Sequence, residues 1–492
     1  MLSIISTKYV IYELKYQSKY ARMERGGDSM AEDQARIKSE QRRQLMLEGK
    51  LLKVIVIVAL PMVATMLIDA FYNMADAFFV SRISDAAVAA VGVNDSLMML
   101  IRAVSMGFGM GSSSFISRAL GAKKDKEAAQ TAVTTLFTAM GVLLMLACLG
   151  LVFLPNLVSF LGVTEAVRPF STQYARWILL SAPITAATTV LSQLLRSEGS
   201  TMYSMAGMAS GCIINIALDP IFIYTLGLGV AGAAIATGIS KFISMIILFS
   251  PFLRGKCVIR LNPSYFTPKK EIYLEIARMG IPTVLRTGMM SMSVILINNT
   301  AASFGDAAMA SIAVANKSLR MIASGIMGFG QGFQPIAGYN YGAGNYGRVL
   351  QAFRYTITIG VAGGVALGTA LGIFAPYVIR IFSGDADVME LGLVLIRTQS
   401  VTLIPHMLVM ISNGFFQALG KAIKAGVIGL SRQLLSLIPC VLIMSYFFGV
   451  TGLVYAQATA DLISFCLALI LVIPTVREIY AMKKRSEASI VA

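Results

Sequence analysis

Residues 53–80 read KVIVIVALPMVATMLIDAFYNMADAFFV. Apart from one lysine at its start and two aspartates, this stretch carries no charge, and it is longer than the roughly 20 residues that an α-helix needs to cross a bilayer. A transmembrane β-strand would instead alternate polar and apolar residues over about 10 positions. The stretch therefore predicts a membrane-spanning helix, the first in the chain.

Further apolar stretches of similar length follow along the chain. They cover residues 93–117, 129–155, 173–195, 203–225, 230–253, 277–301, 309–334, 353–380, 391–416, 424–448 and 452–474. Of the 492 residues, 56% are hydrophobic and only 13% are charged, whereas a soluble domain carries about 25% charged residues. Lipid must therefore be the solvent for much of the chain. The sequence predicts an all-α integral membrane protein with twelve transmembrane helices.

Positive charge is concentrated in alternate connections between these helices. The formal net charge is +16. The basic clusters lie at residues 8–53, 118–126, 254–278, 348–354, 421–424 and 477–485. The intervening connections near residues 81–92, 226–229, 302–308 and 449–451 hold a single arginine between them, at position 82. Because cytoplasmic loops carry the Lys/Arg excess, both termini are predicted to face the cytoplasm, and the charge indicates a membrane surface rather than a nucleic-acid partner.

The two halves of the chain repeat each other at a constant offset. DAAVAAVGVN at 85–94 and GFGMG at 107–111 have counterparts 221 positions later, in DAAMASIAVA at 306–315 and GFGQG at 328–332. Six helices in each half is an even number, so both halves enter the membrane from the same side, as parallel repeats do. The sequence therefore predicts two six-helix lobes that alternate access to a central site near the midplane.

The repeat also sets the predicted domain boundaries. Residues 1–50 are predicted to form a polar, basic, cytoplasmic N-terminal extension without a signal-peptide core. Residues 51–253 form the N-lobe with helices 1–6, and residues 277–476 form the C-lobe with helices 7–12. A cytoplasmic linker, 254–276, joins the lobes, and a cytoplasmic tail, 477–492, ends the chain.

The halves differ most in their intramembrane acids. Asp69 and Asp76 lie in helix 1 and Asp219 lies in helix 5, whereas the corresponding positions of the second half hold uncharged side chains. A charged side chain at the centre of a spanning helix costs about 2.5–3.5 kcal/mol on insertion scales, so it indicates a function. Asp76 and Asp219 both fall in the outer half of their helices, and we expect them to lie at similar depth.

Amide and hydroxyl groups accompany these acids. Asn73 precedes Asp76 by three residues and Asn215 precedes Asp219 by four, so each pair shares a helical face. Thr237 in helix 6 is likewise particular to the first half. Carboxylate, amide and hydroxyl oxygens suit a hard cation such as Na⁺, and two neighbouring carboxylates can equally share a proton. The residues alone leave both ions open.

A purely structural role is the alternative for some of these residues. Asp69 has Lys241 in helix 6 as an ion-pair partner at matching depth. Tyr72, one turn from Asp76, either stacks on a cationic substrate or packs at the interface. We therefore treat Asp69, Asn73, Tyr72 and Lys241 as possible substrate-binding or coupling residues.

Charged and polar residues elsewhere are expected to have local roles. His406, the only histidine of the chain, is expected to face the bundle as an isolated polar group, and Arg286 and Arg432 to bond backbone carbonyls or snorkel. Arg196 and Glu198, at the cytoplasmic end of helix 4, are expected to form an inner gate or a turn. The sequence shows no nucleotide-binding loop and no HExxH motif, so it predicts neither an enzyme nor a cofactor.

Several ordered motifs resemble one known family. YNMADAFFVSRISDAAVAAVG (72–92), LLRSEGS (194–200), INIALDPIFIYTLGLGVAGAAIAT (214–237) and GFGQGFQPIAGYNYGAGNYGR (328–348) are similar to segments of the multidrug and toxic-compound extrusion (MATE) family, in its prokaryotic DinF-like branch. The resemblance covers about residues 50–475. It implies a V-shaped, two-lobe, monomeric antiporter of a bacterial-type plasma (inner) membrane that exports amphipathic or cationic drugs in exchange for Na⁺ or H⁺.

The resemblance also implies a cation site in the N-lobe. Its residues match Asp76, Asn215, Asp219 and Thr237 of this chain. Relatives carry asparagines near this pocket in helix 4, where this chain has Thr189 and Ser192. Both side chains still offer an oxygen, so we expect them to complete the site, with a changed ligand set and ion preference.

Two other functions are compatible with these residues. A lipid-linked saccharide flippase or polysaccharide exporter of the related superfamily is the first, because the basic residues of the second half suit a cationic cavity. A membrane scaffold or sensor without transport activity is the second, but it would leave the cluster of intramembrane oxygens unexplained.

Overall fold

The protein is a bundle of long helices. The computed structural model describes residues 40–382 and 385–491, so residues 1–39 of the predicted N-terminal extension lie outside the described residues. The described residues contain no strand. The first ten spanning helices are α1 Leu51–Ser81, α2 Asp85–Gly121, α3 Asp125–Val152, α4 Arg168–Ser197, α5 Thr201–Pro220, α6 Gly229–Leu253, α7 Lys270–Ala302, α8 Asp306–Gly342, α9 Tyr346–Phe382 and α10 Ala386–Ala418. Short helices at residues 40–48, Leu154–Phe160 and Pro263–Tyr265 lie between or before them.

Two spanning helices contain π-helical turns. α5 continues from Pro220 into Ile221–Thr225, where the proline has no N–H to donate to the regular helical ladder. The helix that starts with Ala422–Leu430 passes through the π-turn Ser431–Leu437 into Ile438–Val491. π-turns occur frequently at functional sites, and the first of these directly follows Asp219.

The described helices confirm the predicted fold class. Ten stretches are long and apolar enough to cross a membrane. One of them, Ala422–Ala488, has 67 residues and breaks at Gly449, where φ is 60° and ψ is −140°. This break divides it into α11, residues 422–448, and α12, residues 450–491. α8 has 37 residues, packs along α1, α9 and α10, and completes the twelve helices.

The helices extend beyond the apolar stretches into polar flanks. α7 begins at Lys270, inside the predicted linker 254–276, and α12 runs to Val491, through the predicted tail 477–492. Lysine, glutamate, arginine and alanine favour helix, so hydropathy marks the membrane-embedded part of a helix rather than its ends. The helix ends thus lie beyond the apolar stretches, and the linker and tail boundaries stay predictions.

Glycines bring the two halves into backbone contact at the end that carries the basic connections. α2 of the first half packs against α7 and α8 of the second, and α8 also packs against α1. A Cβ placed on Gly121 would lie 2.0 Å from the Tyr339 carbonyl oxygen, and one on Gly342 would lie 2.0 Å from that of Arg118. Only the absence of a side chain allows helices in lipid to approach this closely.

Polar contacts reinforce the same region. The Arg118 guanidinium donates from Nη2 to Glu275 Oε1 at 2.6 Å, which joins α2 to α7. Ser114 of α2 donates to the backbone oxygen of Gln417 in α10. The two lobes are therefore held together near the predicted cytoplasmic side, on the side of the membrane opposite to the predicted outer half of α1.

Gly121→Val is expected to destabilise the protein. The branched side chain would collide with the backbone of α8, and overpacking of this kind costs about 1–3 kcal/mol. The matched control is Gly141→Val in α3, where an added Cβ meets no atom within 4 Å. Thermal unfolding of both variants in detergent measures the difference, and equal unfolding temperatures would show that the α2–α8 contact is looser than described.

Candidate functional site

A buried polar cluster lies at the end of α5. Asp219 is 0% exposed and Asn215, one turn before it, is 1% exposed. With the Asn215 amide oriented to satisfy both of its groups, Nδ2 donates to Asp219 Oδ2 at 3.0 Å and Oδ1 accepts from the Thr237 backbone N–H at 3.2 Å. The opposite orientation offers Nδ2 only to Thr237 Oγ1 at 3.4 Å and turns the amide oxygen toward the carboxylate, so the first is the better hydrogen-bonded one.

Asp76 of α1, which is half-buried, lies near this cluster. α1 packs against α5, and the negative charge of Asp76 acts on Asp219. Oδ1 of Asp76 is buried and has no hydrogen-bond partner among the described residues. Across the described part of the chain, no Lys, Arg or His nitrogen lies within 4.0 Å of either carboxylate.

Two uncompensated carboxylates in this position have a clear chemical consequence. Burying an ionised carboxylate without a partner is strongly unfavourable. A proton or a metal cation bound between Asp76 and Asp219 would remove that cost, and the oxygens of Asn215 and Thr237 are at hand as further ligands. The donor set therefore fits a small monovalent cation or a proton.

A cavity of about 260 Å³ lies beside the acid cluster. Helices α1, α2, α4, α5 and α6 of the first half line it, and Met327 of α8 contributes from the second. Six residues predicted for the site line this cavity: Asp69, Tyr72, Thr189, Ser192, Thr237 and Lys241. Asp76, Asn215 and Asp219 do not line it. The predicted residues thus form two neighbouring groups, with Thr237 belonging to both.

The helix 4 residues belong to the cavity rather than to the acid cluster. Ser192 Oγ hydrogen-bonds with Ser204 Oγ at 2.8 Å, at the start of α5. Thr189 also lines the cavity. Neither forms a hydrogen bond with Asp76 or Asp219 in the described structure, and their assignment as cation ligands stays a prediction.

The remaining predicted residues, Asn73, Asp69, Lys241 and Tyr72, do not form a single site. Asn73 is exposed, and its Nδ2 donates to the Asp69 backbone oxygen at 2.5 Å on the same helix. Asp69 and Lys241 form no ion pair within 4.0 Å, although both line the cavity and are both described. Lys241 Nζ instead lies 6.0 Å from the centre of the buried Tyr72 ring, the range of a cation–π contact.

Arg196 and Glu198 have distinct structural partners. Arg196, 5% exposed, donates from Nη1 to Gln331 Oε1 at 2.7 Å and so joins α4 to α8 of the other lobe. Glu198 accepts from the backbone N–H groups of Val258 at 2.9 Å and Ile259 at 3.3 Å. The arginine therefore bridges the lobes, while the glutamate anchors the linker that follows α6.

The second lobe contains an ionic cluster that sequence reasoning missed. Arg432 donates from Nε to Asp461 Oδ1 at 2.6 Å, and His406 Nδ1 lies 3.2 Å from the same oxygen. The expectations that Arg432 bonds carbonyls or snorkels and that His406 is isolated are wrong, because Asp461 of α12, 5% exposed, pairs with both. Arg286 leaves its Nε buried without a hydrogen-bond partner among the described residues, and its expected contacts stay a prediction.

Arg102 of α2 is the second residue that sequence reasoning missed. It lines the cavity together with Lys241. The signal was present in the sequence, because a single arginine inside an apolar span needs a reason as much as an aspartate does. The described residues contain no group of three or more His, Cys, Asp or Glu side chains that could hold a metal ion.

Comparison with known proteins gives the family. The MatE family model matches residues 61–221 and again residues 282–442, the same offset as the sequence repeat. The chain is 27% identical over 423 residues to the Multidrug export protein MepA of Staphylococcus aureus, covering 85% of this chain and 93% of that protein. A crystal structure of MATE in the bent conformation is 28% identical with a TM-score of 0.83, covering 91% of this chain and 99% of that one.

A third similar protein differs in its binding pocket. It is a MOP superfamily transporter from Pyrococcus furiosus, described as having a binding pocket of reverse polarity that suggests a different function. It is 27% identical to this chain with a TM-score of 0.83, covering 90% of this chain and 98% of that one. With both repeats matched and the two-lobe fold shared, this chain is a multi-pass membrane protein that belongs to the MatE family of transporters.

Proposed function

We propose that this protein is a secondary active efflux transporter that exports small amphipathic molecules in exchange for Na⁺ or H⁺. The observation that carries the proposal is the pair Asp76 and Asp219, two carboxylates in the first lobe with no cationic partner within 4.0 Å in the described structure. We place the protein in a bacterial-type plasma membrane with both termini in the cytoplasm, in line with the distribution of its basic residues.

The proposed cycle uses the acid cluster as the entry point of the driving ion. A cation that reaches Asp76 and Asp219 from outside neutralises their mutual repulsion and changes how α1 and α5 pack. One charge moving across about 100 mV supplies about 2.3 kcal/mol, before any concentration gradient. Coupling requires that the cation bind the inward-facing and outward-facing states with different affinity.

The cavity suits a small molecule. Pockets for drug-sized ligands measure roughly 300–1,000 Å³, and this one, at about 260 Å³, lies near the lower end of that range. The relative from S. aureus is named a multidrug export protein, which agrees with a small-molecule cargo. In a scaffold without transport activity, the unpaired carboxylates would destabilise the protein and serve no function.

Export from proteoliposomes tests the proposal. The full-length protein is reconstituted, and the vesicles carry either ethidium, a cationic dye, or dansylglycine, an anionic one. Imposed Na⁺ and H⁺ gradients are applied separately. We expect the wild-type protein to move dye under one of the gradients, which names the coupling ion. If correctly inserted protein moves neither dye under either gradient, the proposal is wrong.

A further inference from the structure

The cavity beside the acid cluster carries more positive than negative charge. Arg102 of α2, Arg196 of α4 and Lys241 of α6 all line it. Among the described lining residues, Asp69 is the one carboxylate. Three cations therefore face one anion across a space of about 260 Å³. A lining of this kind is the reverse of what an organic cation would prefer.

None of these cations forms an ion pair within 4.0 Å of a carboxylate in the described structure. The bonds of Arg196 go to neutral groups, at 2.7 Å to Gln331 Oε1 and at 3.1 Å to Ser204 Oγ. The side chains of Arg102 and Lys241 form no hydrogen bond or ion pair with any other described residue, and Lys241 Nζ lies 6.0 Å from the centre of the Tyr72 ring. Lys241 and Arg102 are thus free to bind an anionic group in the cavity, whereas Arg196 is held by Gln331 and Ser204.

Arg102 and Lys241 lie deep within the membrane-spanning part of the bundle. Arg102 and Lys241 lie well inside α2 and α6, away from the ends at which long side chains reach the interface. Charged side chains at such depth are costly and typically mark a substrate or ion pathway. Lys241 is half-buried and Arg102 is exposed, so the lysine bears the larger desolvation cost. A bound anionic group would offset that cost.

We infer that the substrates of this transporter carry a carboxylate or another acidic group on an apolar or aromatic body. The acidic group pairs with Lys241 and Arg102. The body contacts the apolar part of the lining, in which flexible thioethers adapt to different shapes: Met66, Met98, Met106 and Met208. The inference rests on the proposed export function, because it names the substrate class of the same transporter, and it replaces the organic cations that the family resemblance implies.

The acidic group and the driving ion occupy separate places. Asp76 and Asp219 do not line the cavity, whereas Thr237 lines the cavity and meets Asn215 of the acid cluster. The two ligands therefore do not compete for the same atoms. We infer that the two sites are coupled through the conformation of the N-lobe, in which Thr237 contacts both.

Equilibrium binding of three dansyl compounds tests the inference. Dansylglycine carries a carboxylate, its methyl ester is neutral, and dansylethylenediamine carries an ammonium on the same naphthalene body. Each is titrated into the full-length protein in lipid nanodiscs without an ion gradient, with empty nanodiscs as the blank. We expect dansylglycine to bind about tenfold more tightly than its ester, the effect of one hydrogen-bonded charge pair, and the amine to bind most weakly.

Two variants locate the effect. Lys241→Met keeps the length of the side chain and removes its charge, and we expect it to weaken dansylglycine binding about tenfold while leaving the ester unchanged. Lys126→Met, at an exposed position at the start of α3, controls for the change in net charge and is expected to have no effect. Arg102→Met is the second cavity variant, should Lys241→Met fail to fold.

The outcomes separate this inference from the proposed function. If the amine binds as tightly as dansylglycine, or if Lys241→Met and Arg102→Met weaken the acid and the ester alike, the inference is overturned, whatever the transport assay shows. If dansylglycine is preferred but no gradient drives its movement, the substrate class stands and ion-coupled export fails.

Discussion

Asp219→Asn is expected to reduce ion-driven dye export to the level of empty vesicles, while the protein stays folded. The amide has nearly the shape of the carboxylate but takes up no proton at neutral pH, and it offers a metal cation one weakly binding oxygen in place of a charged group. It also leaves Asp76 without the neighbour whose repulsion the driving ion relieves. The initial rate of dye movement in proteoliposomes measures the loss.

The control for this variant is Asp306→Asn. Asp306 is exposed in the first turn of α8, so the same chemical change is made far from the acid cluster. We expect it to export dye at the wild-type rate. Wild-type export by Asp219→Asn would remove Asp219 from the coupling site, and equal loss in both variants would point to a general effect of charge.

Asp461→Leu is expected to destabilise the second lobe by about 3–5 kcal/mol. Asp461 is the shared partner of Arg432 and His406. Its removal leaves the half-buried Arg432 guanidinium without a counter-charge, and that desolvation cost is larger than the net gain of the pair. Thermal unfolding in detergent measures the effect, with the wild-type protein as the reference.

The double variant Asp461→Leu, Arg432→Met distinguishes a lost ion pair from lost packing. Replacing both partners of a buried pair by apolar groups is often neutral or stabilising, so we expect most of the stability to return. If the double variant is as unstable as the single one, the loss comes from packing around Asp461. If the single variant unfolds at the wild-type temperature, the buried pair described here does not form.

The fold is predictable because lipid restricts what a chain can do. Every backbone group in the membrane must be hydrogen-bonded within the chain, so a long apolar stretch has to be a helix. The repeat offset of 221 residues then relates the two lobes, and the MatE model matches at the same offset. Helix ends are less predictable, as Lys270 shows, because a helix continues into water wherever its residues favour it.

The pairing of side chains between helices cannot be predicted from the sequence in the same way. Asp461 meets Arg432 from 29 residues away and His406 from 55 residues away, on three different helices. The sequence displays each charge, but only the packing of α10, α11 and α12 shows that they share one oxygen. In the first lobe, hydrophobic periodicity places Thr189 and Ser192 on α4 but does not fix the rotation of that helix. This rotation turns them toward the cavity.

The acid cluster is partly predictable from the sequence, less so than the fold and more so than the ionic cluster of the second lobe. The spacing of Asn215 and Asp219 predicts a shared helical face, and the structure places both with Thr237. Asn73 has the same kind of spacing from Asp76 but bonds to Asp69 instead. Helical periodicity therefore states which residues share a face, whereas the neighbouring helices decide which of them meet.

Reciprocal flux is the most direct test of the central claim, that a cation bound at Asp76 and Asp219 is exchanged for the exported molecule. Vesicles are loaded with the transported dye, no ion gradient is imposed, and entry of Na⁺ or H⁺ is followed with an ion-sensitive fluorophore. We predict that the outward dye gradient drives cation entry through the wild-type protein and that Asp219→Asn abolishes it. Dye leaving the vesicles without any cation entering would contradict the account.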